Sequence, residues 1–307
     1  MTSTSSRPAP GAAARDVVAG RSPARGTRAP GATARRTGPR AIVLNVALLI
    51  GLAASIAPLV WMLLSSVKPE GEIRQFPPTL IPDQVTWSNY TELFASLSFP
   101  RYFLNSVVVA VAVTLGSVLF SAMVGYALAK LDFPGRRTLF ALVMGTLMVP
   151  GMVTFVPLFV LVANLGLVNT YAALVLPFLA APFGVFLMRQ FMLDVPDELL
   201  DAARVDGAGE FRTFFRIVLP QTRPALATLG ILTFLGSWNN FLWPLVAVQS
   251  ADRYTLPVAL ALYSTGQNTV RYGLLVAGAT VIVLPILVVF LILQRHIVQG
   301  ISTTGLK

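Results

Sequence analysis

The chain lacks cysteine altogether and has a single histidine, His296, among its 307 residues; only 12% of them are Asp, Glu, Lys or Arg. The first absence excludes disulfides and thiolate metal sites. A lone histidine makes neither a zinc site nor a proton relay, and His296, beside Arg295, reads as an interfacial, solvated side chain. No G-x-x-x-x-G-K-[ST] phosphate loop occurs, so any ATP hydrolysis tied to this chain belongs to another one. The shortage of charge is the most restrictive feature, because soluble domains carry roughly 25% charged residues. Apolar residues take its place, at 55% of the chain, with a mean hydropathy of +0.72. That is the composition of a membrane protein.

Charge is absent from whole segments. No Asp, Glu, Lys or Arg occurs in 41–67, 102–129, 138–188, 224–251 or 272–294. The gap at 138–188 is too long for one span of about 20 residues, and the NLGLVN stretch at 164–169 offers a turn in its middle. The expectation is an all-α polytopic membrane protein with six transmembrane helices, at about 42–64, 103–129, 138–163, 171–189, 224–247 and 272–293. A β-barrel would show alternating runs of about ten residues instead. With the N-terminus inside, 18 of the 23 Lys and Arg fall on the cytoplasmic side. This positive-inside asymmetry puts both termini in the cytoplasm, and it reads the net charge of +10 as topology rather than as a nucleic-acid surface.

Residues 1–40 are rich in Ala, Gly, Pro, Ser, Thr and Arg, a composition that reads as a disordered basic cytoplasmic tail. The apolar run that follows has no clear small-residue cleavage site after it, which favours an uncleaved first span over a signal peptide. Residues 41–307 then form the membrane domain. The external segment at about 65–101 reads as an ordered loop with a short helix over 87–97. It is too small to bind a solute by itself.

The most informative segment lies between the fourth and fifth spans, within a loop at 190–223: LDVPDELLDAARVDGAGEFRTFFRIVLPQTRP. Pro196, Asp197 and Glu198 suit a helix start and Gly207 suits its left-handed end, predicting a helix over 196–206 and a second over 209–219. Phe211, Phe214, Phe215 and Val218 fall at i, i+3, i+4 and i+7, which predicts one apolar face. Arg212 and Arg216 lie elsewhere, and Pro220 and Pro224 close the segment. Ala202, Ala203, Gly207 and Ala208 leave room for another protein's surface. By pattern alone, a docking element and an amphipathic surface helix that merely orients two spans both fit.

This loop resembles the cytoplasmic coupling motif of binding-protein-dependent ABC importer permeases. Asp201 stands where the family has glutamate, followed by Ala202 and Ala203, then Asp206, Gly207 and Ala208, then the closing proline, Pro220. The resemblance covers most of 41–307 and is nearest to the carbohydrate-uptake branch, typified by maltose permeases; FPPTLIP followed by TWSNY, GYALAKLDFPGR and the terminal LQRHIVQGISTTGLK also fit it. It implies a six-helix permease bundle in a bacterial or archaeal plasma membrane. It also implies a second, homologous permease, two ABC ATPase subunits that carry ATP and Mg, an extracytoplasmic solute-binding protein, and a sugar as cargo. The chain itself would bind no cofactor and catalyse nothing. Its loop helix would sit in a cleft of the ATPase, with Arg204 either an ionic partner there or a solvated charge. The tail at Gln299–Gly300 would approach the ATPase pair.

Residues for a translocation path are the uncharged hydroxyls, amides and aromatics of the spans. The candidates are Asn105, Ser106, Thr114, Ser117 and Ser121 on the second span, and Trp238, Asn239, Asn240 and Trp243 on the fifth. Close helix packing and interfacial anchoring are the competing roles for the same residue types. Prolines 58, 150, 157, 177, 182, 244 and 285 predict kinks suited to alternating access. An ion-gradient carrier would need an ionisable or carbonyl coupling site at mid-membrane, and the spans hold no charged residue. That carrier and a membrane scaffold without transport activity are the alternative functions.

Overall fold

A computed structural model describes residues 39–96, 98–264 and 270–304, with side chains described only up to Ile292. Among them regular structure is helical: α1 (Pro39–Ser66), α2 (Glu70–Ile73), α3 (Ser88–Ser96), α4 (Phe99–Lys130), α5 (Arg136–Leu147), α6 (Gly151–Asn164), α7 (Tyr171–Val175), α8 (Pro182–Leu193), α9 (Asp197–Val205), α10 (Glu210–Thr213), α11 (Leu219–Gln221), α12 (Arg223–Trp238), α13 (Leu242–Ala247), α14 (Leu256–Ser264) and α15 (Tyr272–Thr304). Residues 1–53 and 54–307 divide into two units. In the first, Ile42, Leu44, Leu48 and Leu52 all stand exposed along α1.

Among the described residues, three helices are long and apolar enough to cross a membrane, at Ala41–Ser66, Phe99–Lys130 and Tyr272–Ile292. The spans expected at 138–163 and 171–189 are each broken. α5 and α6 meet at 105°, and the Tyr171–Phe178 segment meets α8 at 43°. Proline is the cause at both places. Pro150 lacks an N–H and pushes Val149 out of helical geometry, while Pro177 and Pro182 flank the second bend. The span expected at 224–247 is interrupted too: α12 stops at Trp238, and the Asn240 side-chain oxygen takes the Trp243 N–H at 3.3 Å. Pro58, Pro157 and Pro285 lie inside continuous helices.

α4 is the central helix and packs most extensively on α8 and α12. Its Ser117, Ser121 and Gly125 recur at i, i+4 and i+8 and are fully or nearly buried. In lipid, where apolar tails compete equally for apolar helix faces, such small residues let helices approach closely and gain dispersion contacts. A β-carbon at Gly125 would stand 2.9 Å from the Arg189 backbone nitrogen. Trp238 and Trp243 are buried with their indole N–H groups satisfied, by Ile282 O at 3.0 Å and Ala173 O at 2.9 Å. An unpaired N–H would be costly in hydrocarbon.

Between α1 and α4, the helix expected over 87–97 is α3. Asn89 donates to Ser66 O and Lys68 O at 2.9 and 2.8 Å. Buried Lys68 bonds Thr79 and lies 5.0 Å from the Trp61 ring centre. Glu70 accepts the Tyr272 and Gly273 N–H groups at 3.0 and 2.7 Å, a carboxylate at the positive end of α15.

Candidate coupling loop and central cavity

The loop forms as a helix, a glycine turn and a second helix. α9 begins after Pro196 with Asp197 and Glu198 in its first turn and ends on Gly207 at φ +76°. The Gly207 N–H reaches Arg204 O at 3.0 Å and the Ala208 N–H reaches Ala203 O at 2.9 Å, which satisfies the last carbonyls of the helix. Leu200 and Ala203 are buried, whereas Asp201, Ala202, Arg204, Val205, Asp206 and Gly207 are exposed, Val205 at 87%. Ala208 is half-buried.

The second helix differs from the sequence expectation in two ways. It does not close before Pro220: Glu210–Thr213 leads into a π-turn at Phe214–Val218, and Leu219–Gln221 continues past the proline. Pro220 cannot donate to the carbonyl four residues back, and the wider turn accommodates that gap. Nor do the four expected apolar residues share one buried face. Phe214 and Val218 are buried, but Phe211 and Phe215 are exposed, at 71% and 47%. The π-turn changes the angular spacing, and the bundle offers apolar surface to one stripe only. Leu200, Phe214 and Val218 join Tyr126, Met188, Met192 and Leu229 in one cluster.

Polar contacts frame this cluster. Tyr126 Oη donates to Glu210 Oε2 at 2.6 Å. Arg204 donates from Nε to Glu210 Oε1 at 3.0 Å and from Nη1 to Asp201 Oδ1 at 3.2 Å. Arg204, exposed on its outer side, thus bridges α9 to Glu210 across the glycine turn. The Tyr126 hydroxyl, and then Arg204, hold the Glu210 carboxyl below its ordinary range against the opposing effect of burial. Lys130 Nζ, nearly buried, donates to Val195 O at 2.6 Å and Asp197 Oδ1 at 2.7 Å. That bond and its charge lower the Asp197 carboxyl.

Deeper in the bundle a cavity of about 730 Å³ opens between α4, the α5–α6 and α7–α8 breaks, and the α12–α13 break; Ser117, Thr154, Phe178, Thr233, Asn240 and Trp243 are among its walls. None of its lining residues is charged. The structure brings Ser117, Asn240 and Trp243 together here but not the other path candidates. Asn105 is buried outside it, donating to Asp252 O and Tyr254 O at 3.0 and 2.9 Å and accepting from Tyr171 Oη at 2.8 Å. Trp238 packs on Phe234 and Phe103. Asn239 is exposed and donates back to Leu235 O at 3.0 Å. Ser106 Oγ accepts the Leu256 N–H at 2.7 Å, and Thr114 donates to Ala110 O at 2.6 Å. The Ser117 and Ser121 hydroxyls are buried with no hydrogen-bond partner among the described residues.

Residues 117–303 match the family described as binding-protein-dependent transport system inner membrane component. The chain belongs to this family. Its loop, its broken helices and most of its cavity lining lie within the matched region. Among its relatives, the arabinooligosaccharides transport system permease protein AraQ of Halalkalibacterium halodurans is 42% identical over 280 residues, covering 89% of this chain and 99% of its own. The diacetylchitobiose uptake system permease protein NgcG of Streptomyces coelicolor is 37% identical, covering 85% and 87%. The sn-glycerol-3-phosphate transport system permease protein UgpE of Yersinia pestis is 35% identical, covering 85% and 95%. In fold, the chain resembles one in the crystal structure of a bacterial ABC transporter involved in the import of the acidic polysaccharide alginate, with a TM-score of 0.77 at 22% identity over 86% of this chain and 98% of that one.

This inner membrane component is thus a multi-pass plasma-membrane protein of a transport system. Sequence reasoning missed Tyr126, Lys130 and Glu210, since nothing local to Glu210 signals a partner 84 positions away. The side chains from Leu293 onward, those of His296 and Gln299 included, and residues 305–307 lie outside what the structure describes.

Proposed function

We propose that this family member is the permease subunit of an ATP-driven, binding-protein-dependent importer for an oligosaccharide, disaccharide or related polyol. Its six spans are the three long helices, the two bent pairs and α12–α13, with both termini in the cytoplasm. Two ABC ATPase subunits beneath it carry ATP and Mg, a second homologous permease completes the pathway, and an external solute-binding protein delivers the sugar. Residues 1–40 form the basic tail and 41–307 the membrane domain.

The observation that carries this reading is the two-faced loop. Leu200 and Ala203 anchor α9 to the bundle, while Asp201, Ala202, Arg204, Val205 and Gly207 face outward. A helix that only oriented two spans at the membrane surface would turn an apolar face to lipid; here the outward face of α9 mixes charge with small residues. Ala202 and the Asp206–Gly207–Ala208 turn let an ATPase surface come close, with exposed Val205, Phe211 and Phe215 adding apolar contact, and Pro220 shapes the helix behind them. The uncharged cavity with its aromatic walls suits a neutral, hydroxyl-rich solute, with Ser117 and Asn240 on the path.

Purification of the mildly solubilised complex tests the assignment. An ABC ATPase, a second permease and a sugar-binding protein are the expected stoichiometric partners, and ATP-dependent uptake should follow in vesicles. Uptake by this chain alone in an ion gradient, without ATP, rejects it.

A further inference from the structure

The loop is attached to the bundle by two kinds of contact. Leu200, Phe214 and Val218 sink into an apolar cluster shared by α4, α8 and α12. Such packing opposes separation but sets no direction along the surface. Charge-assisted hydrogen bonds do set distance and direction. Among the described residues, every side-chain hydrogen bond between 194–222 and a helix of the bundle comes from the last turns of α4. Tyr126 binds Glu210, which opens α10, and Lys130 binds Val195 O and Asp197, which open α9. The two contacts straddle α9, which among the described residues packs along no element at length.

We infer that Tyr126, Lys130 and Glu210 are positioning residues that make α4, not the covalently adjoining α8 or α12, the helix that follows motion of the loop; this rests on the reading that the loop docks on an ATPase. α4 is suited to the task because it is unbroken from Phe99 to Lys130, whereas α8 starts at the proline bend and α12 stops at Trp238. Ser117 lies nine residues from Tyr126, about 14 Å along the helix, and lines the cavity. Farther along, Asn105 holds Tyr171 and the carbonyls of Asp252 and Tyr254. A displacement entering at Tyr126 reaches the cavity wall and the far end of the bundle without crossing a helix break.

The test uses the assembled complex in vesicles. Tyr126→Phe combined with Lys130→Met should keep the ATPase bound and hydrolysing, while solute moved per ATP falls about fivefold or more, the lower end of typical coupling factors. Glu210→Gln, whose amide oxygen still accepts from Tyr126, should hold the ratio near native, and Glu210→Ala should not. An unchanged ratio in the double variant overturns the inference. Because the chain has no cysteine, spin labels at Glu198→Cys, exposed on α9, and Leu119→Cys give a second reading independent of turnover. Their separation should stay constant between nucleotide-free and ATP-bound complex, and shift with nucleotide in the double variant; a native separation that changes with nucleotide also overturns it. Failure of the underlying docking reading is distinguished by Gly207→Val, which would then retain the ATPase with full transport.

Discussion

Gly184 of α8 faces Ser121 of α4 so closely that a β-carbon at position 184 would stand 2.4 Å from the Ser121 hydroxyl oxygen and 3.2 Å from Leu229 Cδ1. This contact joins the three helices that carry the loop below and line the cavity above. Gly184→Val should therefore destabilise the purified protein by about 1–3 kcal/mol, as overpacking does. Gly184→Ala should lose less, and Ser121→Gly should recover part of its loss; thermal unfolding of the native chain, the two single variants and the double variant measures the coupling. Ser121→Ala alone should be neutral or slightly stabilising, because it removes a buried hydroxyl that has no partner.

Gly207 is constrained by its backbone rather than by space. Its φ is +76° and a β-carbon there would meet nothing within 4 Å, so substitutions should rank by tolerance of the left-handed region. Gly207→Asn should behave nearly as the native chain, Gly207→Ala should lose about 1 kcal/mol, and a β-branched valine should lose more. Co-purified ATPase should fall in the same order while membrane insertion stays intact. Asp201→Ala should have a smaller or comparable effect, since Glu210 still holds Arg204. Loss of insertion in either variant would instead favour a surface anchor.

The parts legible in the sequence are those set by local chemistry. Missing charge marked the apolar segments, Pro150, Pro177 and Pro182 marked the bends, and Gly207 marked the end of α9. Two features were not legible. The orientation of Phe211 and Phe215 depends on a π-turn, which a fixed 3.6-residue period cannot anticipate. The contact of Tyr126 with Glu210 depends on α4 lying beside a loop 84 positions later, a fact of topology rather than of pattern. For the same reason Asn105 looked like a path residue: an amide in an apolar span signals a polar partner but not whether that partner is solute or backbone.

The loop should tolerate moderate acid and fail in strong acid. Tyr126 and Arg204 lower the Glu210 carboxyl in the folded chain, so its contribution is fully present above the unfolded value of about 4.3 and is lost as pH falls through the lower folded value. Asp197, lowered by Lys130, acts in the same direction. The difference in unfolding temperature between the native complex and Glu210→Gln should be constant from pH 8 to about 5 and shrink below about pH 4. A difference that grows on acidification would contradict the folded-state carboxylate described for Glu210.

The cavity separates solute contact from packing among the polar residues of the spans. Ser117 and Asn240 line it, and Ser117→Phe sends a ring into about 730 Å³ of space. That variant should assemble with its partners and still allow ATP hydrolysis, yet lose uptake; unimpaired uptake would remove the cavity from the path. Asn240→Ala should raise the half-saturating solute concentration, though part of its effect will come from the freed Trp243 N–H. Asn105→Ala should act on stability instead. Its three hydrogen bonds all go to the protein, so its removal should lower stability by about 1–3 kcal/mol for the buried groups left unpaired. The half-saturating concentration of whatever complex survives should stay unchanged. Measuring both quantities for both variants distinguishes a lining amide from a bracing one, although the two are the same residue type in spans of the same hydropathy.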